Sequence, residues 1–68
     1  MKNSIKVERA KNNITQAELA DKVNVTRQTI NSIEIGKYVP STVLALKIAA
    51  VFQTTANKIF TLEEKDWL

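Results

Sequence analysis

Cysteine and histidine are both missing from the chain. Their absence excludes disulfides, Ser-His and Cys-His nucleophile pairs, and metal sites built on thiolate or imidazole. There is one glycine and one proline, so no glycine-rich loop is available to cradle a phosphate. No apolar run reaches the length of a membrane span, and the residues after Met1-Lys2-Asn3-Ser4 lack the apolar centre of a signal peptide. Glu8, Glu18 and Glu34 fall on different predicted helices with no metal-ligand spacing. The expectation is a cytoplasmic protein that is not an enzyme and that needs neither metal nor cofactor.

What remains suits one small domain across residues 1–68. Hydrophobic residues make up 44% and charged residues 25%, a globular rather than disordered balance. The net charge of +3 is unevenly spread. Residues 1–58 carry +5 and residues 59–68 carry −2. A basic body with an acidic tail points to a polyanionic partner, nucleic acid first.

Few breakers and many Ala, Leu, Ile, Lys and Glu predict helices. A first helix covers Ser4 to Asn12. Thr15 opens a second, because Thr15-Gln16-Ala17-Glu18 fits a capping box and Ile14 can staple to Leu19. Leu19, Ala20 and Val23 form its buried stripe. Asn24 ends it, since asparagine tolerates the left-handed conformation. Thr26 caps a third helix, with Ile30 and Ile33 inward and Val25 stapled to Ile30; Gly36 stops it. Ser41 caps a fourth helix to about Phe52, with Leu44, Ala45, Ile48 and Phe52 on its inner face and Val43, Leu46 and Ala50 elsewhere. Thr55 caps a short fifth helix ending near Phe60. In the tail, residues 61–68, the apolar Leu62, Trp67 and Leu68 either dock or fray.

Two helices separated by a short turn make a helix-turn-helix, here spanning about residues 15–36. The second helix of such a pair projects from the body and can enter the DNA major groove. Its polar positions are Arg27, Gln28, Asn31 and Ser32. Arginine can bond guanine O6 and N7, and glutamine can bond adenine N6 and N7. A merely solvated face favours Lys and Glu, whereas residues 27–32 carry one charge among neutral polar groups. Phosphate contacts are expected around this helix from Gln16, at the start of the second helix, and from Thr26, Thr29, Lys37, Tyr38 and Ser41. Tyr38 has the alternative of packing on the core. Arg9 and Glu34, both among apolar stripes, are candidates for a partly buried ion pair that orients the third helix.

Gln16-Ala17-Glu18-Leu19-Ala20, then Asn24-Val25-Thr26-Arg27-Gln28-Thr29-Ile30, then Ile33-Glu34-Ile35-Gly36-Lys37-Tyr38 and Pro40-Ser41, resemble the Cro/CI-type helix-turn-helix family over residues 3–60, and its compact single-domain members above all. The resemblance implies an all-α, five-helix, lambda-repressor-like fold and a DNA-binding repressor, usually dimeric. It implies base contacts from Arg27, Gln28, Asn31 and Ser32, a phosphate held at Gln16, backbone contacts from Lys37 and Tyr38, and a buried pair between Arg9 and Glu34. Three positions depart from the pattern. Asn24 and Gln53 replace common glycines, and Ile35 replaces a residue that is usually polar.

The function expected is a sequence-specific regulator of transcription, a repressor that binds an inverted repeat in double-stranded DNA as a homodimer and is nucleoid-associated when bound. Leu46, Leu62 and Trp67 are candidates for the dimer surface, and Thr61–Glu64 for a short C-terminal strand within it. The alternative is a protein-interaction module, such as an antitoxin, that uses the same fold.

Overall fold

The computed structural model describes all 68 residues. Five helices follow in order: α1 (Ile5–Asn12), α2 (Gln16–Val23), α3 (Arg27–Glu34), α4 (Thr42–Val51) and α5 (Ala56–Ile59). Two short strands, β1 (Lys2–Asn3) and β2 (Phe60–Thr61), flank them, and a 3-10 helix covers Glu64–Trp67. The fold is all-α and lambda-repressor-like, with one small antiparallel sheet.

Side-chain caps set where the central helices begin. Thr15 Oγ1 accepts from the Glu18 N–H at 3.0 Å, and Glu18 accepts from the Thr15 N–H at 2.9 Å, which closes the capping box. Thr26 and Ser41 accept from the Thr29 and Leu44 N–H groups in the same way. Left-handed residues follow the first four helices. Asn13 (φ 54°), Asn24 (φ 60°) and Gln53 (φ 55°) take this conformation, and Gly36 (φ 83°) takes it after α3. Asn24-Val25-Thr26 is thus a three-residue turn that lays α3 across α2.

Eleven side chains make the core: Ile5 from α1; Leu19, Ala20 and Val23 from α2; Ile30 and Ile33 from α3; Leu44, Ile48, Ala49 and Phe52 from α4 and its cap; and Ile59 from α5. Ala49, not Ala45, shares the inner face of α4 with Leu44, Ile48 and Phe52. Ala45 is half-buried and lines a surface groove beside Leu46. Leu44, Ile48 and Phe52 keep the i, i+4, i+8 stripe, and of the two alanines along its edge Ala49 is the one that is covered.

The C-terminal strand is shorter and earlier than Thr61–Glu64, and it pairs within the chain. Lys2 stands opposite Thr61 and Asn3 opposite Phe60, and the Ser4 N–H donates to Ile59 O at 3.0 Å. Beyond Thr61 the chain turns into the 3-10 helix, where the Glu63 N–H donates to Asp66 Oδ2 at 2.7 Å. The tail docks through charge rather than through its apolar side chains. Glu63 and Asp66 grip the Met1 amine at 2.9 and 3.1 Å, while Trp67 is 76% exposed and Leu68 fully so. No helix is long and apolar enough to cross a membrane.

Candidate nucleic-acid interface

Ile30 and Ile33 are buried to within 1% and fix the inner face of α3. Its outer face then has no freedom to roll. Arg27, Gln28, Asn31 and Ser32 come together on it and line one recess with no apolar member. Gln28 and Ser32 also line a second recess with Thr29 and Tyr38. Tyr38 is half-exposed beside α3 and is not part of the core. It is set there by the end of the helix, where Ser32 O accepts from the N–H groups of both Lys37 (2.9 Å) and Tyr38 (3.2 Å). Arg27 reaches round to a third recess, shared with Arg9, Thr15, Gln16 and Ala17 at the start of α2.

Behind this face runs a polar network. Arg9 Nε and Nη2 donate to Glu34 Oε2 and Oε1 at 2.7 and 3.1 Å, a two-pronged pair, and Nη1 donates to Ile14 O at 3.3 Å. The two side chains keep only 15% and 6% of their surface. The hydrogen bonds to Glu34 outweigh desolvation and hold the Arg9 guanidinium above its ordinary, already high pKa. The pair ties α1 to the end of α3 and fixes where that helix sits. Gln16 Nε2 donates to Glu34 Oε1 and to Asn31 Oδ1, each at 3.1 Å. Both side-chain hydrogens of Gln16 are thus engaged, one by Glu34 in the part-buried network and one by Asn31 at the surface.

The remaining candidates divide by place. Thr26 and Thr29 share a hydroxyl contact at 3.0 Å at the start of α3, which leaves one hydroxyl hydrogen of the pair free. Lys37 and Ser41 are exposed on the loop and at the start of α4. Leu46 and Leu62 lie on another side of the molecule, in a groove of about 340 Å³ with Val39, Pro40, Ala56 and Phe60. Trp67 is not in that groove. Asn3 was missed by sequence reasoning. Its amide donates to Ile33 O at 2.8 Å, and its oxygen accepts from the Ile5 N–H at 3.2 Å. It pins the first strand to the back of α3, and an Asn before a helix was the one available signal.

The geometry defines a helix-turn-helix whose second helix exposes a polar, singly charged face. The family described as helix-turn-helix matches residues 5–59, and the chain belongs to this Cro/CI-type helix-turn-helix family. Among similar proteins, an uncharacterized HTH-type transcriptional regulator of Methanocaldococcus jannaschii is 50% identical over 97% of this chain and 100% of its own. The uncharacterized HTH-type transcriptional regulator YgzD of Bacillus subtilis is 47% identical over the same shares. One from Archaeoglobus fulgidus is 50% identical over 97% of this chain and 93% of its own.

Proposed function

We propose that this protein is a sequence-specific, double-stranded DNA-binding regulator of transcription, acting in the cytoplasm as a repressor. The observation that carries the reading is the outer face of α3, where Arg27, Gln28, Asn31 and Ser32 converge on a helix anchored by Ile30 and Ile33. In a major groove these groups meet base edges. Thr26, Thr29, Lys37, Tyr38 and Ser41, with the backbone N–H groups at the start of α2, meet phosphates on either side. The names of the similar proteins agree with this role.

The protein works as a homodimer on an inverted repeat, with its two α3 helices about 34 Å apart. Occlusion of a promoter then represses it. The groove holding Leu46 and Leu62, each more than half exposed, is the side we assign to the second copy. Replacing Leu46 with Asp turns a dimer into a monomer in sedimentation if this is right, and an unchanged dimer moves the interface elsewhere. The whole reading is tested by selection from random duplex DNA. An inverted repeat should be enriched by the protein and not by an Arg27→Ala/Gln28→Ala variant. A folded protein that enriches nothing at low salt would instead use its apolar groove on a protein partner, as an antitoxin does.

A further inference from the structure

The outer face of α3 has two unlike sides. Gln28 and Ser32 form a ridge shared by two recesses. On one side the ridge meets Arg27 and Asn31, and every lining residue is polar. On the other it meets Thr29 and Tyr38, and the Tyr38 ring brings apolar surface to the face. That ring is half-exposed and takes no part in the core. It is held in place all the same, because the Tyr38 N–H donates to the carbonyl of Ser32, a member of the ridge itself. Thr29 is fixed as well. Its N–H and its hydroxyl both meet the Thr26 hydroxyl, at 3.2 and 3.0 Å. With the hydroxyl turned to Thr26, the methyl is the branch that Thr29 has left to offer.

We propose that Tyr38 and Thr29 form a cup for the C5-methyl group of a thymine, and that Tyr38 determines specificity through its ring, beside the phosphate contact assigned to its hydroxyl. The inference rests on the reading of α3 as the base-contacting helix. The thymine methyl is the apolar group that base edges show in the major groove, and threonine methyls and aromatic rings are among the groups that meet it. Gln28, on the ridge, has the amide that pairs with adenine N6 and N7. Every such adenine is paired with a thymine. The ridge and the cup therefore read one A·T pair, or two neighbouring ones, by hydrogen bonds on one side and by apolar contact on the other.

The test uses the full-length protein and the duplex that it enriches. Each thymine is replaced in turn by uracil, which lacks the methyl group and keeps the base pairing, and affinity is measured in competition with the parent duplex. One thymine in each half-site should stand out, with uracil there costing about fourfold, the worth of one buried methyl. Tyr38→Ala, checked for folding by circular dichroism, should bind thymine and uracil alike at that place. Tyr38→Phe should keep the fourfold preference while binding every duplex more weakly, because the ring stays and the hydroxyl goes. A merely structural tyrosine would change affinity without changing the ratio of thymine to uracil. The proposal is overturned if no thymine is distinguished from uracil, if a folded Tyr38→Ala protein keeps the wild-type ratio at every thymine, or if Tyr38→Phe loses it. Each of these outcomes leaves the DNA-binding reading intact, since the duplex has already been enriched. Enrichment of no sequence at all defeats both.

Discussion

Single residues in this molecule act through what they leave unpaired. Arg9 and Glu34 are nearly buried, so removing one strands the charge of the other. Arg9→Leu should lower unfolding free energy by about 3 kcal/mol in urea titration, a little less than for a fully buried pair because Arg9 keeps some water contact. For a chain of this size, which has only roughly 3–10 kcal/mol in all, that is a large share. A loss below about 1 kcal/mol would mean that the pair behaves as a surface contact. Gln53 presents the opposite case. Its φ of 55° is a conformation that costs a side chain about 1–2 kcal/mol. Gln53→Gly should therefore raise stability by about 0.5–1 kcal/mol, net of glycine's greater chain entropy. A fall in melting temperature on that change would show that the left-handed turn carries no strain.

At the scale of elements, side-chain caps set where α2, α3 and α4 begin. Thr15→Ala removes half of the capping box and should cost about 1–2 kcal/mol in denaturant unfolding. The Thr15 N–H, and then its hydroxyl, hold the Glu18 carboxyl below its ordinary value. The contribution of the Glu18 carboxylate to the cap is therefore complete above about pH 4.5 and lost as pH falls further. A wild-type and a Glu18→Ala protein should converge in stability on acidification, and parallel curves down to pH 2 would deny the Glu18 carboxylate this role. The same caps explain what could be read from sequence. Thr15, Thr26, Ser41, Asn24 and Gly36 are local signals acting within one helical turn, and they placed α2, α3 and the turn between them. The strand pair was not legible. Lys2 and Asn3 meet Phe60 and Thr61 across almost the whole chain, and two residues carry no alternation. Gln16 was equally opaque. Its place at the start of α2 suggested a phosphate, and only the approach of α3 shows its amide already committed to Glu34 and Asn31.

Over the whole molecule, the ends of the chain are closed on each other. The Met1 amine, through its hydrogen bond to Glu63 above all, is raised from its ordinary 8.0. Glu63 is held low mainly by that amine, and Asp66 by the Glu63 N–H and then the amine. The amine's contribution is present below pH 8.0 and lost as pH rises through its raised value, while that of the carboxylates is present above their ordinary range and lost on acidification. Free and Nα-acetylated protein should thus differ in melting temperature between about pH 5 and 8 and converge on either side. A difference that does not vary with pH would place the effect of acetylation outside this ion cluster. The closure also gathers the acidic tail against the first strand, where Glu63 and Lys65 line a recess with Glu34, Ile35 and Gly36 at the end of α3.

The recess of Arg27, Gln28, Asn31 and Ser32 carries the account, and its most direct test is the affinity for the enriched operator divided by the affinity for scrambled duplex. The ratio is taken at one salt concentration for the wild type and for Arg27→Ala/Gln28→Ala. The wild type should prefer its operator by about 10³ or more, as specific regulators do. Each lost contact should cost about 1–3 kcal/mol per half-site, so the preference collapses while scrambled DNA is still bound through phosphates. A double variant that kept the wild-type ratio would show that α3 does not read the bases.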